Sequence, residues 1–307
     1  MSSLSAATAS SSLPEPSPLE PCPLVRVIPI LDDNFCYCVR TSPSTGVLVD
    51  PAAASASQIL SSLPPSLTIT HILTTHKHWD HAGGNNRMLL ALNDWNKDVV
   101  VVGGAVDKVE ACTLSVNDGQ KLTLGDLTVT CIHTPGHTQG HICYYVVPPP
   151  SSSSPSLVFT GDTLFVGGCG KLFEGTASDM QQSLSRLASL PPSTQVYCGH
   201  EYTSSNYRFA MSVVDEDSAD GPTTRTTPGA LLKARHAWAL AQGVAGLHTV
   251  PSTVEEEIRT NVFVRAALAD TEGHDRCDDI RRKAGLKDGA TAAELLGALR
   301  TMKNNYK

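Results

Sequence analysis

Four side chains of metal-ligand type fall within six positions in Thr75-His76-Lys77-His78-Trp79-Asp80-His81, an H-x-H-x-D-H pattern that opens into Ala82-Gly83-Gly84. Imidazoles and carboxylates are donors that divalent cations accept. The preceding LTITHIL (67–73) reads as a strand. On a strand His76 and His78 share a face, whereas on a helix they stand about 200° apart and cannot chelate together. The spacing therefore predicts a strand end whose loop curls its donors toward one point. Three further positions gain meaning beside that cluster: His137 in TPGHT, Asp162 in FTGDT and His200 in YCGHE, each just after an apolar run. Singly they read as a turn histidine, a helix-capping aspartate and a surface histidine. Together with the cluster they make five imidazoles and two carboxylates. A closed tetrahedral zinc site takes four donors. Seven suit two divalent ions, about 3.5–4 Å apart, sharing a carboxylate and a hydroxide.

The elements that must carry these groups are legible as short apolar runs between turn residues. Strands are expected at 24–30, 35–40, 46–50, 67–73, 98–102, 127–133, 141–147, 156–162 and 194–200, all rich in Val, Ile, Leu, Thr and aromatics. Helices are expected at 53–62, 84–96 and 178–189, the last with Ser178 as N-cap. PPPSSSSPS (148–156) reads as a loop insertion. Beyond His200 an acidic, then Thr/Pro-rich connector (215–229) leads into helical patterns at 230–242, 253–270 and 291–303, with Ser252 or Thr253 capping a run of glutamates. The organisation expected is a tail over 1–23, a mixed α/β domain over 24–200 and a mainly helical domain over 201–307.

Composition narrows the functional class. With 41% hydrophobic and 17% charged residues over 307 positions, the chain reads as soluble and globular. A formal charge of −7 argues against nucleic acid as a partner. No apolar stretch nears the roughly 18 residues needed to span a bilayer. Nine cysteines, an odd number with no C-x-x-C, read as reduced thiols of an intracellular protein. The first basic residue is Arg26, so the Ser/Ala/Pro-rich start lacks the marks of a secretory signal. A disordered tail on a cytoplasmic, monomeric protein is expected, with a Ser-rich organellar transit peptide as the alternative.

The ordered series THxHxDH, TPGHT, the Asp of FTGDTLF and the His of GHEY resembles the metallo-β-lactamase superfamily, and within it glyoxalase II, the hydroxyacylglutathione hydrolases. The likeness runs from residue 24 to the C-terminus through LDDNFCYCV, LVDP, HTPGHTQGH, GDTLFVGGCGKLFEGTA, VYCGHEYT, TVPSTVEEE and LRTMKNNY. The metal motif alone specifies the superfamily; Lys171 in GCGKLFEG and the pair Arg300-x-x-Lys303 narrow it. The resemblance implies an αββα sandwich followed by a helical, substrate-binding domain. It implies one metal at His76, His78 and His137, another at Asp80, His81 and His200, and Asp162 bridging. Zinc is the expected ion, with iron and manganese accepted by the same donors. It further implies glutathione gripped by Lys171, Tyr202, Arg300 and Lys303. Cations suit its carboxylates, and Arg300 and Lys303 lie i, i+3 on one helix face. Phe173 stands where the family often has an aromatic hydroxyl, which removes one hydrogen bond to substrate.

The reaction implied is hydrolysis of S-2-hydroxyacylglutathione, typically S-D-lactoylglutathione, by a metal-bridging hydroxide, the second step of methylglyoxal detoxification. Asp80 is assigned to ligation, because that hydroxide needs no further proton acceptor. Two alternatives stand beside this reading: a glutathione persulfide dioxygenase with a mononuclear iron, and a catalytically silent metal-binding protein on the same fold.

Overall fold

The computed structural model describes residues 22–52, 56–93, 98–215 and 227–306. The N-terminal tail up to residue 21, most of the 215–229 connector, and the ends of two expected helices (53–55 and 94–96) lie outside the described residues.

Two six-stranded sheets form the frame. The first runs β1 (Val25–Ile30), β2 (Asn34–Arg40), β3 (Thr45–Val49), β4 (Thr68–Leu73), β5 (Val100–Gly104) and β6 (Leu114–Val116) in spatial order. The second is built from β7 (Lys121–Leu124), β8 (Leu127–His133), β9 (Ile142–Val147) and β10 (Leu157–Gly161), then β13 (Gln195–Cys198) and β14 (Ser252–Thr253). Between the last two groups, β11 (Leu164–Phe165) and β12 (Gly168–Cys169) make a small hairpin. The parallel pairs β3–β4 and β4–β5 require crossovers, supplied by α1 (Ala56–Ser61), and by the short α2 (Trp79–Ala82) followed by α3 (Asn85–Asn93). The remaining helices are α4 (Ala177–Ala188), α5 (Thr203–Val213), α6 (Pro228–Val244), α7 (Val254–Thr260), α8 (Val262–Leu268), α9 (Asp278–Lys283) and α10 (Ala292–Asn305).

Side-chain alternation on β2 shows the layering. Phe35, Tyr37 and Val39 enter the core between the sheets, while Cys36 and Cys38 join Ile59 of α1 and Met88 of α3 on the outer face. Both faces are buried, which is why β2 reads as an unbroken apolar run. On the far side Met180, Leu184 and Leu187 of α4 belong to the main core, and α4, α8 and α10 pack on one another. Helices thus cover both outer faces of a two-sheet sandwich.

Two local expectations are corrected. The N-cap of α4 is Thr176, not Ser178: its hydroxyl accepts from Asp179 N at 3.2 Å while the Asp179 carboxylate accepts from Thr176 N at 2.8 Å. The expected helix at 253–270 is two helices, because Asn261 leaves helical geometry to cap α8, accepting from Phe263 N and Val264 N. Its amide also donates to Phe165 O and Gly168 O, so the break ties the helices to the β11–β12 hairpin. Beside it, Glu257 accepts from Gly167 N, and burial pushes its carboxyl up to about 7. The metal-ligand loop is as expected: β4 stops at Leu73, so His76 and His78 lie on the loop beyond the strand end.

Candidate metal centre

The loop after β4 is shaped by Asp50 at the end of β3, which accepts from Thr75 N at 2.8 Å and from Thr75 Oγ1 at 2.7 Å. Asp50 sits at φ 48°, a left-handed conformation that aspartate tolerates better than most residues. Its Oδ2 lies 3.0 Å from His81 Nδ1. The same outward arrangement recurs: His137 Nδ1 is 2.9 Å from Lys171 O, His200 Nδ1 is 2.8 Å from Asp33 Oδ1, and His76 Nδ1 is 3.1 Å from Thr75 Oγ1. An outward acceptor fixes the proton on Nδ1 and leaves the Nε2 lone pair facing in, the usual support for a metal-ligating imidazole.

The inward atoms converge in three groups, each with its ligand atoms within 4.8 Å of one another: His76, His78 and His137; His76, His81 and Asp162; Asp80, His81 and His200. His78 Nδ1 lies 3.1 Å from His76 Nε2 and 3.0 Å from His137 Nε2, and His81 Nε2 lies 3.3 Å from His200 Nε2. Asp162 stands between the two outer groups. Its Oδ1 is 3.2 Å from His81 Nε2 and 3.4 Å from His200 Nε2, while its Oδ2 is 3.4 Å from His137 Nε2. Buried Oδ1 nonetheless has no well-formed hydrogen bond. Burial would raise the Asp162 carboxyl, but His81 and His200 outweigh it and hold it well below the carboxylate range. Burial keeps His76 and His137 neutral, the state a ligand needs. An orphaned carboxylate oxygen among converging nitrogens fits divalent cations: the donor set is right in type and number, and the protons that Asp162 draws onto His81 and His200 against their burial are ones a bound cation would displace.

All seven expected donors therefore come together, five of them from loops at strand ends, with Asp80 and His81 on α2. Around them the expected substrate residues divide. Tyr202 stacks on His200 at 4.7 Å and 7°. Phe173, 63% exposed, sets its ring against His78 and His137 at 5.7 and 5.2 Å, and Lys171 Nζ is 6.0 Å from that ring. Trp79 is 66% exposed beside the same loop, and Lys77 pairs with Glu174 at 2.7 Å. Arg300 and Lys303 do not touch the donors. Arg300 Nη1 donates to Cys169 O at 2.7 Å, and Lys303 Nζ donates to Ser205 O at 2.7 Å. They fasten α10 to the two segments that carry Lys171 and Tyr202.

Four supporting residues have no metal-ligand spacing and were not anticipated. Asp33 and Asp50 stand within LDDNF and LVDP, motifs that carried resemblance but no assigned role. His141 stacks on His76 at 5.0 Å and lies 3.1 Å from Asp162 N. Asp107 hydrogen-bonds the loops of His76, His78 and His137; no local motif marks it.

Residues 30–200 match the metallo-beta-lactamase superfamily and residues 201–306 match the hydroxyacylglutathione hydrolase C-terminus. The chain is 46% identical over 242 residues to the cytoplasmic hydroxyacylglutathione hydrolase of Arabidopsis thaliana, covering 78% of this chain and 86% of that protein. It is 34% identical over 286 residues to the hydroxyacylglutathione hydrolase of Pseudomonas paraeruginosa, covering 92% and 99%. Among solved structures, ETHE1 from Myxococcus xanthus superposes with a TM-score of 0.51 at 23% identity, over 91% of this chain and 99% of that one. A metallo-beta-lactamase from Staphylococcus aureus superposes at 0.52 and 19%, over 88% and 68%; at such identities both speak for the fold.

The two-sheet frame with a His/Asp cluster at its strand ends is that of a metallo-beta-lactamase-type protein. Within that superfamily, the chain belongs to the hydroxyacylglutathione hydrolases, the glyoxalase II family.

Proposed function

We propose that the protein hydrolyses the thioester of S-2-hydroxyacylglutathiones, typically S-D-lactoylglutathione, releasing glutathione and D-lactate in the second step of methylglyoxal detoxification. Family membership makes it a thioester hydrolase. The observation that carries the reading is a pair of donor groups with one Asp162 oxygen turned to each. Two divalent cations there, zinc foremost with iron or manganese accepted, supply an acidified water and an electrophile for the thioester carbonyl.

His76, His78 and His137 would hold one cation, Asp80, His81 and His200 the other, with Asp162 shared. Asp80 acts as a ligand rather than as a base. Lys171, Tyr202, Arg300 and Lys303 serve the glutathione moiety, with the Phe173 ring set against His78 and His137. Thiolate leaves readily, so no dedicated proton donor is required. The metal-bearing domain spans 24–200 and the substrate-binding domain 201–307, in a cytoplasmic monomer. No helix among the described residues is long and apolar enough to cross a membrane. A mononuclear iron dioxygenase would use two histidines and an aspartate, leaving four of these seven donors without a task; a silent protein would have no need of them. Loss of thioester absorbance with S-D-lactoylglutathione, alongside metal content, tests the proposal. Oxygen uptake with glutathione persulfide and no thioester turnover would overturn it.

Two outcomes follow for the substrate contacts. Phe173→Tyr restores the missing hydroxyl and is expected to lower KM about 2- to 10-fold, one hydrogen bond's worth, with kcat little changed; an unchanged KM would place this ring away from glutathione. Burial, with Arg300 and Arg208 nearby, holds the Lys303 ammonium down to about 8. Its charge is present below that pH and lost above it, so KM for the anionic substrate should rise severalfold through pH ~8. Lys303→Arg, which stays charged, should flatten that rise. A KM profile identical in both proteins would remove Lys303 from the binding site.

A further inference from the structure

We infer that Asp107 is a positioning residue for one of the two cation positions, that of His76, His78 and His137. The inference rests on the two-cation reading above. Asp107 lies in the turn after β5 and is 3% exposed. Its Oδ2 accepts from Lys77 N at 3.1 Å, the amide between His76 and His78, and from Thr138 Oγ1 at 2.7 Å, beside His137. Its Oδ1 accepts from Gly140 N at 2.7 Å. A Cβ on residue 140 would fall 2.6 Å from that oxygen and 2.3 Å from Asp107 N, so the close approach depends on glycine. One buried carboxylate therefore joins the loop after β4 on the first sheet to the loop after β8 on the second, and those two loops carry all three histidines.

The other position is supported differently. His200 is oriented by Asp33 and His81 by Asp50, and neither histidine touches Asp107. Asp50 also holds Thr75, beside His76, so it serves both halves. Asp33 and Asp107 are the supports that separate them. Loss of an outer-shell partner commonly weakens metal affinity 10- to 100-fold. Here that loss should fall on one equivalent only.

The test titrates the metal-free full chain with Zn²⁺ against a chromophoric chelator, and with Co²⁺ followed by absorption. Wild type should take up two equivalents; fewer would sink the two-cation reading itself and is thereby distinguished from failure of the Asp107 assignment. Asp107→Ala should weaken one equivalent about 10- to 100-fold and leave the other at wild-type affinity. Added to His78→Ala it should lower metal uptake no further, whereas added to His200→Ala it should weaken the equivalent that remains. Asp107→Asn keeps an acceptor for Gly140 N but not for Lys77 N, and should fall between Ala and wild type. If the Ala variant does not fold, the Asn variant decides. Equal loosening of both equivalents, or wild-type affinity for both in a folded variant, overturns the proposal.

Discussion

Asp162→Ala is expected to lower kcat/KM for S-D-lactoylglutathione by at least about a thousandfold, roughly 4 kcal/mol of transition-state stabilisation. The size follows from geometry: Oδ1 faces His81 and His200 at 3.2 and 3.4 Å, and Oδ2 faces His137 at 3.4 Å. Removing one side chain takes a donor from both groups and leaves their imidazoles without the negative charge that offsets bound cations. The backbone N–H of Asp162, 3.1 Å from His141 Nε2, survives the substitution, so the metal-free fold should persist. Metal analysis of the purified variant should show loss alongside activity. Full metal content with wild-type turnover would refute the shared role given to this carboxylate.

The second large effect is expected from a position with no side chain. A Cβ at Gly199 would fall 2.5 Å from Asp162 Oδ1 and 2.7 Å from His81 Cε1, well inside the roughly 3.5–4.0 Å of ordinary carbon contacts. The backbone cannot retreat: Gly199 N donates to Gly161 O at 2.9 Å, and Gly199 O accepts from Phe35 N at 2.9 Å. Asp162 or His81 must therefore shift by about an ångström, a displacement that can cost on the order of a hundredfold in rate. Gly199→Ala should thus lower kcat about 100-fold. A variant with unimpaired kcat would mean that the pocket between Asp162 and His81 yields freely and does not hold them rigidly.

Much of this was legible before any coordinates. Expected strands such as β2, β9 and β10 appear because two-sided burial demands long β-branched and aromatic runs, which are visible in one dimension. The seven donors were legible because metal ligation restricts residue type so strongly. Short edge pieces were not: β6 and β7 carry few apolar residues, and α5, TSSNYRFAMSV, looks too polar for a helix until Tyr207, Phe209 and Val213 are seen buried. The break at Asn261 was hidden because its cause is tertiary, an amide reaching the β11–β12 hairpin. Asp107 was hidden for the same reason, since its partners lie about thirty residues away on either side. Arg300 and Lys303 were placed on one helix face, but spacing could not reveal that each is anchored to a backbone carbonyl.

The donors are divided between loops of two different sheets, which has a thermodynamic consequence. His76, His78, Asp80 and His81 ride on the first sheet, and His137, Asp162 and His200 on the second. An ion seated among them acts as a rivet between the two slabs of the sandwich. An unfolded chain offers no such seat, so each occupied position lends the native state its own binding free energy, about 4 kcal/mol at a thousandfold excess over Kd. Resistance to heat then belongs partly to the surrounding solution, rising and falling with its supply of free ions.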